Sequence, residues 1–128
     1  MEEFFTRSAA NEGVKLPLYL PNGEVTKHHL TVLGIDSDIF RTAEAQAKRT
    51  AIGIAQLESK EEREAKIEET ERRLVSVLIA DWSFDKPCTL ENVMVFLLEA
   101  PQISDAVNKF AAQRERFMAK KSTSSSDG

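Results

Sequence analysis

The chain is poor in the residue types that carry covalent chemistry. Its 128 residues include one cysteine, Cys88, so no internal disulfide is possible and no Cys-X-X-Cys pair exists. There are two histidines, His28 and His29, adjacent in sequence. In the extended segment they occupy, their side chains point to opposite faces and do not chelate one metal together. Five glycines are scattered with no phosphate-cradling spacing, which removes the nucleotide-binding loops. No Glu is followed at ligand spacing by His, so the acidic run 58–73 lacks the pattern of a carboxylate-bridged metal site. No apolar run approaches the roughly 20 residues needed to span a bilayer, and no membrane contact is expected. The first residues, MEEFFTRSAANEG, begin with acids and lack an apolar leader core, so a cytosolic protein without a secretory signal is expected. No cofactor or metal is expected, and no enzymatic activity.

What is present is charge. Acids outnumber bases 21 to 17, giving a net charge of −4, and the pI is about 5.3. This argues against a nucleic-acid module, which carries a clustered basic face. The basic residues Arg114, Arg116, Lys120 and Lys121 are read as complementing a helix C-terminus. The length suits one domain spanning 1–120. Within it, 1–13 reads as a flexible arm, 15–33 as a β-hairpin and 37–119 as helical. Residues 121–128, KSTSSSDG after Lys120, read as a disordered tail.

The hairpin rests on period two. Leu16, Leu18 and Leu20 alternate with Lys15, Pro17 and Tyr19, and Pro21-Asn22-Gly23 supplies a turn. The second run sets Val25, Lys27, His29, Thr31 and Leu33 on one side, with His28, Leu30 and Val32 on the other. Pro17 cannot donate to a ladder, which places its strand at an edge. From Ser37 the period becomes helical, with Ser37 or Asp36 as N-cap and a stripe of Ile39, Ala43, Ala47, Ala51 and Ile54 whose small side chains let another backbone approach closely. Ser59 and Glu62 form a capping box for a second helix, charged at first and apolar from Leu74 through Ile79. The alternative is one long helix over 38–81, interrupted near 58. Thr89 caps a third helix bearing Leu90, Val93, Met94, Leu97 and Leu98, and Pro101 opens a fourth bearing Ile103, Ala106, Val107, Phe110, Ala111, Phe117 and Met118. The fold class is therefore mostly α (α+β): an N-terminal hairpin and about four helices.

Residues 80–117 hold the one Trp and five aromatic residues among few polar anchors. Trp82 and Phe84, in a loop between helices, read first as a core plug, as do Phe110 and Phe117. Any of the four left free is a candidate anchor for a partner, Phe117 foremost, since Trp and Phe dominate interface energetics. Phe4, Phe5, Leu16, Leu18 and Leu20 are candidates for self-association, because an edge hairpin extends a sheet into a neighbour.

These elements resemble the tail assembly chaperones of long-tailed bacteriophages, the family that includes the G protein of phage lambda. The likeness lies in the hairpin over 16–33, the junction Gly34-Ile35-Asp36-Ser37-Asp38 and the run Leu78-Ile79-Ala80-Asp81-Trp82. It continues in Leu90-Glu91-Asn92, in Ala100-Pro101-Gln102-Ile103, and in Phe110 and Phe117. It covers about residues 15–118 and consists of apolar patterning. It implies a non-enzymatic, self-associating late protein of the infected host cytoplasm, absent from the mature virion. Such a protein binds the tape measure protein, keeps it soluble and promotes polymerisation of the major tail protein around it. It also implies a longer form made by −1 ribosomal frameshifting, and Ala119-Lys120-Lys121 is codable by an A-AAA-AAG heptamer. The alternative expectation is a small acidic helical adaptor or regulatory protein for another host or phage protein, and a metal-dependent enzyme stands third.

Overall fold

A computed structural model describes residues 1–118. The expected tail 121–128 and the basic residues Lys120 and Lys121 lie outside the described residues. Helix accounts for 58% of the structure, with a three-stranded antiparallel sheet beside it, so the class is mostly α with a β element.

The hairpin consists of β1 (Val14–Tyr19) and β2 (Val25–Val32), with Leu16 opposite Leu30 and Pro17 opposite His29. β1 is an edge strand, as Pro17 requires. Its turn is closed by Leu20 and Glu24, and Gly23 takes φ 90°, which favours glycine. The register breaks between Pro17 and Tyr19. There the Thr26 hydroxyl donates to the Leu18 carbonyl at 2.6 Å and accepts from the His28 N–H at 3.1 Å, replacing ladder bonds across the irregularity.

Helix α1 (Arg7–Glu12) precedes the hairpin, inside the segment read as a flexible arm. Residues 1–5 are mostly exposed, with Glu2–Phe4 in a 3-10 turn, whereas α1 packs on the domain and its Ala10 is fully buried, which corrects the arm reading for 7–12. A six-residue helix has too little period to be seen in sequence, and tertiary contact holds it. Thr6 donates to Asp36 at 2.7 Å, and Arg7 clasps Asp38 at 2.6 and 2.8 Å.

Helices α2 (Asp38–Ala55) and α3 (Lys60–Ser76) form an antiparallel pair. Ser37 and Ser59 cap them by accepting from the Phe40 and Glu62 N–H groups. Between them these helices bury only Phe40, Ile54 and Ser76, so they join the main core at one end, through Phe40 of α2 and Leu74 and Val75 of α3, while most of their length is exposed.

The chain then departs from the helical reading of 37–119. Helix α3 stops at Ser76, and β3 (Ile79–Trp82) pairs antiparallel with β2, with Leu30 opposite Trp82. The apolar run 74–79 fits a buried helix end and a buried strand equally well, and pairing with β2 decides it. Helices α4 (Leu90–Glu99) and α5 (Pro101–Ala111) follow, capped by Thr89 and opened by Pro101 as expected. α5 ends at Ala111, short of the expected 119. Residues Arg114–Phe117 form a separate 3-10 turn that folds back over α1. One core joins Leu30 and Val32 of β2, Leu78, Val93 and Leu97 of α4, and Val107 of α5.

Candidate functional site

The four aromatic side chains expected as partner anchors belong to two interior clusters. Trp82 is buried, and its ring meets Phe84 edge-on at 5.2 Å and Phe96 at 5.9 Å. Its indole N–H donates to the Lys86 carbonyl at 2.6 Å, fixing the turn after β3. Phe84 is half-buried between Phe96 and the His28 ring, at 5.1 and 4.6 Å. Phe110 and Phe117 meet edge-on at 6.1 Å. Phe117 is 1% exposed. The expectation that Phe117 stands free for a partner is thus corrected. The helix that was to carry it outward ends at Ala111, and the turn beyond folds the ring inward.

That inward fold depends on Gly34. A Cβ there would lie 2.8 Å from the Ala10 Cβ and 3.0 Å from Phe117 Cγ, so only glycine lets α1, residue 34 and Phe117 meet. The closure is completed by Asp36, which accepts from Thr6, from Arg41 at 2.9 Å and from Arg114 at 2.8 and 3.0 Å. The Arg114 guanidinium, opposed by desolvation and aided by Thr6 and Arg41, holds this carboxyl well below the usual carboxylate range.

The groups that resemble chemistry are structural. The Ser83 hydroxyl accepts from the His29 backbone N–H at 2.9 Å and lies 3.1 Å from His28 Nδ1, which ties β2 to the turn after β3. No further side chain among the described residues hydrogen-bonds the His28 ring. Burial, and then the charge of Asp81, push the Cys88 thiol upward, the direction that makes it inert. No cluster of three or more His, Cys, Asp or Glu able to hold a metal occurs among the described residues. No described helix is long and apolar enough to cross a membrane.

Of the self-association candidates, Phe4 is 79% exposed and Phe5 51%, while Leu20 is 47% exposed at the hairpin turn. Leu16 is half-buried and Leu18 is buried, so the alternating face of β1 packs inward and only its end is free.

One concave feature of the surface is a groove of about 520 Å³ along the seam of α2 and α3. Ala43, Ala47 and Ile54 form its α2 side, Leu74 and Val77 its α3 side, and Leu90 of α4 closes one end. Ile39, 53% exposed, stands one turn before Ala43 on the same side of α2. The small side chains keep the α2 side shallow enough for another helix to approach at the usual 8–10 Å between axes. The sequence carried this signal as the stripe Ile39-Ala43-Ala47-Ala51-Ile54, of which Ala43, Ala47 and Ile54 line the groove and Ala51 does not. It gave no sign that Leu74, Val77 and Leu90 would complete the trough. Compared with protein-family models, with curated proteins and with solved structures, the chain matches none.

Proposed function

We propose that this protein is a non-enzymatic assembly chaperone that receives a helix of its client in the α2–α3 groove. The observation that carries this reading is the groove itself: a trough with an apolar floor, open to solvent, in a chain of which 30% of the residues are charged. Such a trough matches the binding of an amphipathic helix by its apolar face. The resemblance to phage tail assembly chaperones supplies the client, the tape measure protein. It also supplies the setting, the host cytoplasm during tail assembly with the major tail protein as second partner. The hairpin-then-helices order suits that resemblance.

Exposed Phe4, Phe5 and Leu20 are the surfaces proposed for contact between copies. Removing residues 1–5, which precede the Thr6–Asp36 bond, is expected to lower the oligomeric state in light scattering. An unchanged oligomer would remove the arm from that role. The frameshifted longer form is tested by the gene, since a coding sequence without a slippery heptamer near codons 119–121 ends that part.

The main test is co-expression with the tape measure protein encoded nearby. The wild-type chain should render it soluble and co-purify with it. Ala47→Glu, at a half-buried groove position, should abolish both while keeping a folded circular dichroism spectrum. Persistent insolubility with the wild-type chain, or equal co-purification with the variant, refutes the proposal. Capture of a helix from an unrelated host or phage protein would favour the adaptor reading instead.

A further inference from the structure

The two walls of the groove are unlike. Along α2 it is bounded by Ala43, Gln46, Ala47 and Thr50, none of them charged. Along α3 it carries Lys66, Glu69 and Arg73, three residues on one side of the helix at spacings of three and four. The chain as a whole has more acids than bases, 21 to 17, yet this wall has two cations to one anion. Neighbouring charges on the same helix pair are engaged: Arg41 holds Asp36 and Glu44, and Lys60 reaches Glu64 at 4.0 Å. Among the described residues, Lys66, Glu69 and Arg73 take part in no ion pair. Lys66 and Arg73 are both exposed and lie about 10 Å apart along the helix axis, seven residues at 1.5 Å each.

We propose that the groove selects an amphipathic helix of another protein by charge as well as by shape. The uncharged stripe of that helix lies on the α2 wall. Its edge toward α3 presents two carboxylates two turns apart, one for Lys66 and one for Arg73. A base midway between them meets Glu69. The inference rests on the reading of the groove as a client site and adds which helices it takes. Acids seven residues apart are what a heptad-repeating helix presents at one flanking position. A long client of that kind offers the same footprint once in every two turns, so successive copies of the chaperone have equivalent places to bind. A second copy of this chain does not supply the pattern. Its α3 carries Glu61 and Glu68, Glu62 and Glu69, and Glu64 and Glu71 at that spacing, but the apolar residues beside the last pair, Ile67 and Leu74, line hollows against the chain's own α2. Rim pairs of this exposure are individually weak, so they set register and preference more than affinity.

The test uses the full chain and two synthetic 21-residue alanine-leucine heptad helices, identical except for Glu or Lys at one flanking position of every heptad. In fluorescence anisotropy at low salt, the Glu helix should bind about tenfold more tightly than the Lys helix, the yield of two rim pairs gained by one and replaced by like-charge contacts in the other. The preference should shrink in high salt. Lys66→Glu with Arg73→Glu should invert it, and Lys66→Gln with Arg73→Gln should flatten it; both should stay folded, the Glu pair melting slightly lower because it sets like charges against Glu62 and Glu69. Equal binding of the two peptides, no binding of either, or a preference that survives the double reversal overturns the proposal. So does a peptide-free dimer that the double reversal dissociates, because the occupant is then a second copy. The two readings fail separately. A charge-blind groove with a co-purifying tape measure protein leaves the chaperone standing, and a charge-selective groove that ignores the tape measure protein leaves the helix site without that client.

Discussion

Phe117→Ala separates two readings of the same aromatic ring. As a free anchor its loss would weaken partner binding and leave stability within about 0.5 kcal/mol, as for ordinary surface changes. In the structure it is 1% exposed, edge-on to Phe110 at 6.1 Å and closely packed on Gly34. Truncating a buried Phe costs about 3–5 kcal/mol, from lost transfer energy and the cavity left behind. A further ~0.5–1.5 kcal/mol attaches to the aromatic pair. The turn lies near the end of the described chain, so the ring's surroundings relax more readily than a central core, and we take about 3 kcal/mol as the expected loss. For a domain of this size that lowers Tm by roughly 10 °C. Urea unfolding followed by circular dichroism measures it: the midpoint should fall with the slope unchanged. A midpoint within the wild-type error, together with weakened client binding, would refute the packing argument and restore Phe117 as an anchor.

Gly34→Ala should destabilise by about 1–3 kcal/mol through the contacts with Ala10 and Phe117, and pairing it with Phe117→Ala should recover part of that, since the smaller side chain vacates the space. Asp36→Asn should cost about 1–2 kcal/mol at neutral pH, because the carboxylate is largely buried while its arginine partners are more than half exposed and screened. The pH dependence has a definite sign. The folded carboxyl titrates lower than the unfolded one, so its contribution is present above about pH 4 and is lost as pH falls toward the lower folded value. Wild-type stability should therefore drop more steeply than that of the Asn variant below about pH 4 in acid titrations. Thr89→Ala should cost about 1 kcal/mol by removing the acceptor for the Asn92 N–H, read as a lower thermal midpoint.

The parts of the fold legible in sequence are those written in local chemistry. Alternation over 16–32, Ser37, Ser59 and Thr89 as caps, and Pro101 at a helix start each depend on residues within a turn or two, and each appears where expected. What was not legible depends on partners far along the chain. Residues 79–82 become a strand because β2 offers Leu30 and Thr31 as pairing partners. Helix α1 exists because Thr6, Arg7 and Asn11 find Asp36 and Asp38 about thirty positions on. Phe117 looked outward because the helical period was continued past Ala111, where Arg114 instead reaches Asp36 across 78 positions. The groove was half legible, since small residues on α2 were visible and the opposing residues on α3 and α4 belonged to other periodic runs.

Asp36 joins Thr6 and Arg114, so the two ends of the described chain meet at one carboxylate. A loop of that length costs about 4 kcal/mol to close, and the cost falls on contacts that form only when both ends are present. Closure of the Arg114–Phe117 turn over α1 therefore comes last, while the bonds from α1 to Asp36 and Asp38 and the hairpin itself need only the first forty residues. Trimming either end should be felt at the other: loss of residues 6–12 uncovers Phe117, and loss of 114–117 releases α1. Joining the ends by a short linker, with new termini opened in the exposed turn between α2 and α3, should leave the closure intact.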